Sequence, residues 1–157
     1  DEGGIRVPAI VRWPGVVPAG AECAQPCITM DMTATLVAAA GATVPEAHAL
    51  DGADLMPWLL GRKPLEPGRT LYWRRRTVNV PRKIADVRSK AIREGDLKYH
   101  HDLLRKKEYL FDLEDDLGET KNLLKTDAET AARLKKKLED WEATVTPSAP
   151  SEGAAVR

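Results

Sequence analysis

The sequence predicts an α+β protein: a small antiparallel sheet covered by a C-terminal helix, preceded by a strand-helix segment. Three observations carry this. Ala91-Ile92-Arg93 and Leu97-Lys98-Tyr99-His100 flank Glu94-Gly95-Asp96, which is hairpin chemistry. A further β-rich run spans residues 108–113. Finally, Ala131, Leu134, Leu138, Trp141 and Val145 recur at spacings of three and four, a stripe that has to be buried against a sheet.

The elements follow in order. Residues 7–13 are apolar and β-branched and read as a buried strand, stopped by Pro14-Gly15. A helix is expected from Thr29 to about Ala40, with Thr29 or Asp31 as N-cap and Gly41 just past the end. Met32, Leu36 and Ala39 would form its packed face. Leu50-Asp51-Gly52 reads as a turn and residues 54–60 as a short helix with Pro57 in its first turn. Residues 70–73 are a strand. The polar, basic stretch 74–90, interrupted by Pro81, reads as a long loop. Thr126-Asp127 caps the last helix, and Lys135, Lys136 and Lys137 lie off its stripe as a solvated face. The end, 146–157, is small, polar and Pro-rich, a frayed tail.

Composition narrows the classes. The 157 residues are 43% hydrophobic, 31% charged and 5% aromatic, with 24 basic and 24 acidic side chains. No apolar run reaches the roughly 18 residues of a membrane span. Collagen-like, coiled-coil and disordered chains are excluded, and a neutral total argues against nucleic acid as partner. The charge is nonetheless segregated. Residues 69–107 hold 13 basic and 4 acidic side chains, against 4 and 8 in 1–68 and 7 and 12 in 108–157. An anionic partner would meet the middle segment. Cys23 and Cys27 have no second pair of ligands nearby, so they read as a loop disulfide or two free thiols.

The order of motifs resembles the sulfatase family (arylsulfatase and N-sulfoglucosamine sulfohydrolase-like). Glu2-Gly3-Gly4-Ile5-Arg6-Val7-Pro8 with Trp13-Pro14-Gly15 resembles its E-G-G-x-R-V-P…W-P-G block. Asp31 with Thr35-Leu36 and Ala40-Gly41 resembles its D-x-x-x-T-L…A-G helix, and residues 50–55 its D-G-x-S-L segment. Arg93-Glu94-Gly95-Asp96-Leu97-Lys98-Tyr99 is similar to its R-x-G-x-W-K-Y hairpin. Residues 109–123 resemble its E-L-Y-D-L-x-x-D-P-x-E-x-x-N-L strand and turn. Leu97 replaces the usual Trp and Leu117 the usual Pro, both keeping the hydrophobic pattern.

The resemblance implies a fold and a division of labour. Residues 1–68 would be the C-terminal end of a larger, alkaline-phosphatase-like α/β domain, 69–145 the C-terminal subdomain, and 146–157 the tail. It implies hydrolysis of sulfate esters, formylglycine made from a Cys or Ser in C/S-x-P-x-R, and calcium. Family members are often periplasmic, secreted or lysosomal. Neither cofactor is expected in this chain. Cys23-Ala24-Gln25-Pro26-Cys27 and Ser148-Ala149-Pro150-Ser151-Glu152 both fail the motif. Asp115-Asp116-Leu117-Gly118 sits in the context of the family's C-terminal turn, not its metal site. The missing N-terminal catalytic half is the expected partner, and the chain alone is expected to be inactive.

Candidate contacts remain. Arg74, Arg75, Arg76, Arg82 and Lys83 could form a basic rim for an anionic sulfated small molecule or glycan, guanidinium suiting sulfate oxygens; the plain alternative is a solvated charge run. His100 and His101 point to opposite faces of one strand, so at most one could face a cleft; the alternative is edge histidines. Glu2, Gly3, Gly4, Arg6 and Pro8 read as signature scaffold, and Trp13, Trp58, Trp73 and Trp141 as core. The second functional class is a stand-alone module for sulfated or other polyanions.

Overall fold

The computed structural model describes residues 2–62, 69–76 and 87–145. They fall into two compact units, Asp1–Val7 with Gly68–Arg157, and Pro8–Pro67.

The first unit is built on a four-stranded antiparallel sheet in the order β1-β2-β3-β4. Its strands are β1 (Thr70–Arg76), β2 (Val87–Glu94), β3 (Leu97–Asp102) and β4 (Lys107–Asp112). The expected hairpin forms, with Glu94 joining the strand and pairing with Leu97 across a two-residue turn, and Gly95 at φ +60° takes the left-handed conformation that glycine enters without a Cβ penalty. The expected loop 74–90 is corrected at both ends. Arg74, Arg75 and Arg76 continue β1, because Lys90, Ser89 and Val87 are there to pair with them. Arg82 and Lys83 lie outside the described residues.

The last helix, Ala128–Val145, covers one face of this sheet. Its N-cap is Asp127, whose Oδ1 accepts the Thr130 N–H at 3.1 Å. Ala131, Leu134 and Leu138 pack on Ile92, Tyr99 and Leu110 to form the core. Trp141 stacks on Tyr72 at 4.7 Å and 8°, while Val145 is exposed and ends the stripe one turn early. The lysine run is not simply solvated. Lys135 bonds Glu108 at 2.7 Å, and Lys137 pairs with Glu94, which also takes Arg133. Positions 135 and 137 each sit one residue from the stripe, so their stems can lie along it while the heads reach sheet carboxylates. Only Lys136, paired with Asp140 within the helix, behaves as expected.

The outer edge of β4 is closed by the turn that follows. The Asn122 side chain accepts from the Leu110 and Leu124 N–H groups, both at 3.0 Å, and donates to the Glu108 carbonyl at 3.2 Å. The Leu123 N–H completes the pairing at 2.8 Å from the Leu110 carbonyl. An edge that would otherwise template aggregation is thereby covered.

At the start of the chain Glu2–Ile5 form a single helical turn ahead of the expected strand. Residues 7–13 form no strand among the described residues, and Val7 and Ile10 are 78% and 93% exposed. A strand needs a neighbour for its N–H and C=O groups, and no described strand lies in residues 8–62.

The second unit is helical and loop-rich: Thr29–Ala39, a 3₁₀ turn at Glu46–His48, and Met56–Leu59. The Thr29–Ala39 helix begins as the sequence implied, but its N-cap is Ile28. Its packed face is also corrected. Met32 and Leu36 are exposed, Leu36 by 64%, while Asp31, Ala34 and Thr35 are buried.

Candidate functional site

The helix-free face of the sheet reads directly from the register. Leu71, Arg93, Lys98 and Phe111 form one row, Trp73, Ala91, His100 and Tyr109 the next, and Arg75, Ser89, Asp102 and Lys107 the third. The first row holds two cations in an otherwise apolar line. Lys98, 2% exposed, is the hub. Its Nζ lies 2.7 Å from Glu2 Oε1 and 2.8 Å from Glu119 Oε1. The Glu2 N–H donates to Glu119 Oε2 at 2.9 Å. Arg93 stands 3.6 Å from Glu2 Oε2 and donates to the Gly95 carbonyl at 2.7 Å and to Asp96 Oδ1 at 3.0 Å.

Three stretches of sequence thus meet in one buried charge cluster: the E-G-G block, the hairpin and the turn after β4. Two carboxylates facing one ammonium are tolerable out of water because the cations of Lys98 and Arg93 and the Glu2 N–H offset their charge; Glu119 Oε1 rests on its ion pair with Lys98, without a hydrogen bond of its own among the described residues. Burial pushes the Glu119 carboxyl up, but the Lys98 ammonium and the Glu2 N–H outweigh it and hold it below the ordinary value. Glu2 is the buried member of its block. Gly3, Gly4, Arg6 and Pro8 are exposed, and Arg6 closes the helical turn through its N–H to the Glu2 carbonyl at 2.8 Å.

The second unit contains a comparable clasp. Asp31, fully buried, accepts the Ile28 N–H at 2.8 Å on one carboxylate oxygen and the Ala53 N–H at 2.9 Å on the other. The Thr35 hydroxyl donates to the Asp31 carbonyl at 2.6 Å and accepts the Leu55 N–H at 3.0 Å. The two therefore hold the loop 53–55 against the helix. Gly52 is required by contact: a Cβ there would lie 2.1 Å from the Met30 carbonyl oxygen. The D-x-x-x-T helix and the D-G loop are two halves of one joint. This is also why the buried face of the helix is polar rather than the Met32–Leu36 side.

The adjacent carboxylates of Asp115 and Asp116 do not suit a cation. Both Asp116 oxygens face donors: Thr120 N–H at 2.8 Å, Thr120 hydroxyl at 2.9 Å and Lys121 N–H at 2.7 Å. Those backbone donors hold its carboxyl below the usual range. It is a turn cap, and Asp115 is exposed. Among the described residues no three His, Cys, Asp or Glu side chains are grouped to hold a metal. Cys23 and Cys27 are exposed free thiols in a sequence that fails C/S-x-P-x-R. The described residues therefore fit neither calcium nor formylglycine.

The candidate rim residues are separated by strand alternation. Arg74 faces the last helix, 4.0 Å from Glu142, which also bonds Lys90 at 2.6 Å. Arg75 lies in the third row of the opposite face and is exposed. Arg76 ends β1. His101 shares the helix side with Glu108, and His100 occupies the second row of the free face, stacked on Tyr109 at 5.8 Å. Burial lowers both histidines, with Lys98 adding to the effect at His100 and Glu108 opposing it at His101. Sequence reasoning missed Lys98, Arg93, Glu119 and Thr35 as individual side chains, although each is a fixed letter in a motif it quoted.

A sheet covered on one side by a helix, with its signature residues at buried joints, fits a fragment of the alkaline-phosphatase-like domain of the solved sulfatases it resembles. The chain belongs to the family described as N-sulphoglucosamine sulphohydrolase, C-terminal, whose model matches residues 1–144. It is 53% identical over 60 residues to steryl-sulfatase of Rattus norvegicus, covering 38% of this chain and 10% of that protein. It is 42% identical over 78 residues to N-acetylgalactosamine-6-sulfatase of Sus scrofa, covering 49% and 15%. Among solved structures it is similar to the 2-O GAG sulfatase BT1596, with 28% identity and a TM-score of 0.59 over 73% of this chain and 24% of that one. BT4656, solved with D-glucosamine-2-N,6-O-disulfate, shares the fold at 22% identity and a TM-score of 0.69, over 92% and 29%. The chain thus spans about a tenth of the first curated relatives and about a quarter of the solved ones.

Proposed function

We propose that this chain acts as the supporting C-terminal part of a sulfatase whose bond-breaking groups lie in a catalytic half outside these 157 residues. By itself it hydrolyses no sulfate ester. The observation that carries this reading is the engagement of the signature residues. Glu2, Asp31, Thr35, Arg93, Lys98, Glu119 and Asn122 are all tied into buried or edge-closing bonds, while the sequence holds no C/S-x-P-x-R. The exposed run 7–13 and the exposed Met32 and Leu36 are apolar surface that this half would cover, residues 7–13 by pairing into its sheet. Calcium and formylglycine would belong to that half.

Of the rim candidates, His100 and Arg75 share the helix-free face, and we assign the contact with a sulfated small molecule or glycan to them. Arg74 and His101 face the helix and stay structural. The polyanion-module reading has the basic segment 69–107 in its favour. Against it, Arg74, Lys90, Arg93, Lys98 and Arg105 are paired with carboxylates from both ends of the chain and from the segment itself. The purified chain, incubated with calcium and an aryl sulfate, is expected to match the buffer blank. Chelator-sensitive turnover refutes the proposal. On a heparin column it should elute early, and late elution with a steep salt dependence would favour the module instead.

A further inference from the structure

We propose that Cys23 and Cys27 are a vicinal dithiol that closes reversibly to a short intramolecular disulfide, and that this closure orders the start of the Thr29–Ala39 helix. Both thiols are free and exposed, so a small disulfide can reach either sulfur. Only three residues separate them, and the chain bends at Gln25, midway between them. The Gln25 N–H donates to Cys23 Sγ at 3.2 Å, so that sulfur is folded back over the loop leading to Cys27. Pro26 fixes one of the few remaining backbone torsions. Among the described residues this is the one pair of thiols, and the clasps described above use neither.

The exchange needs an external disulfide, for which oxidised glutathione stands here. The thiolate of one cysteine attacks the glutathione S–S bond, forming a mixed disulfide and releasing one glutathione thiolate. The second cysteine thiolate attacks the protein sulfur of that adduct, forming the 23–27 bond and releasing the other. Two electrons pass from the cysteine sulfurs to glutathione. The two thiol protons leave with the released thiolates.

The structural consequence follows from sequence position. Cys27 immediately precedes Ile28, the helix N-cap, whose N–H is held by Asp31 at 2.8 Å. The same carboxylate holds Ala53. Closing the loop restricts the approach to that joint without touching it.

The test uses the 157-residue chain with oxidised glutathione as the probe. The expected product is a monomer with no titratable thiol, about 2 Da lighter, returned to two thiols by dithiothreitol. Digestion should give a linked peptide containing both cysteines. Cys27→Ser and Cys23→Ser should each instead stop at a single glutathione adduct, which shows that both sulfurs are reachable. Amide exchange across residues 28–31 should slow at least several-fold on closure. Glutathione on both cysteines at once, or disulfide-linked dimers as the main product, overturns the pairing. Unchanged exchange in the closed form overturns the coupling to the helix.

Discussion

Lys98→Met tests the buried cluster where it is most vulnerable. Lys98 is 2% exposed, and its ammonium lies within 2.8 Å of a Glu2 and a Glu119 carboxylate oxygen. Methionine keeps much of the length and the apolar stem, so what is removed is the charge. Two carboxylates then remain out of water without their shared ammonium, Arg93 standing 3.6 Å from Glu2. Leaving a buried charge without its partner costs about 3–5 kcal/mol. Urea unfolding, followed by the fluorescence of Trp141 against Tyr72, reads the effect. With a slope of about 2 kcal/mol per molar the midpoint should fall by roughly 2 M. The Glu2→Gln, Lys98→Met, Glu119→Gln triple variant should recover at least half of the loss, because no unpaired charge is left. A loss below about 1 kcal/mol for Lys98→Met would refute the reasoning, since it would place both carboxylates in water.

Gly52→Ala should cost at least about 2 kcal/mol, because its methyl meets the Met30 backbone rather than a side chain that can move; a melt of the variant by circular dichroism at 222 nm checks this. Asp31→Ala removes the acceptor of both Ile28 and Ala53 and should cost about 2 kcal/mol, with Asp31→Asn losing less. Proteolysis of residues 50–60, where the loop would come free, measures both. The Glu119 carboxyl is held below its ordinary value of 4.5 in the folded chain. Its stabilising contribution is therefore full above that pH and is lost as pH falls through the lowered folded value. Urea midpoints measured below pH 4.5 should fall with pH, and Glu119→Gln should flatten that fall.

The hairpin and the last helix were legible because their signals are local. Gly95 fixes a two-residue turn, and the stripe from Ala131 to Trp141 states its own period. Residues 7–13 carried an equally local signal and misled. An apolar, β-branched run reports that a strand is possible, but its neighbour has to come from elsewhere, and no described strand supplies one. The face of the Thr29–Ala39 helix was misjudged for a related reason. Periodicity picked out Met32 and Leu36, whereas the burying contacts are hydrogen bonds that Asp31 and Thr35 accept from the N–H groups of a loop some twenty residues on. The same holds for the charge cluster. Lysine is a surface residue by composition, and nothing near Lys98 announces partners at Glu2 and Glu119. What the sequence did offer was alternation: Leu97 and Tyr99 on the helix side leave Lys98 on the other face, opposite Arg93. The run Arg74-Arg75-Arg76 looked like one basic patch, but strand alternation sends Arg74 and Arg75 to opposite faces.

The most direct test of the supporting role measures sulfate release from an aryl sulfate in two samples: the 157-residue chain alone, and the same chain joined to an upstream half carrying C/S-x-P-x-R. Release only from the joined protein, reduced when Lys98→Met loosens the cluster, is the outcome the account predicts. Release by the isolated chain, abolished by chelation, would contradict it.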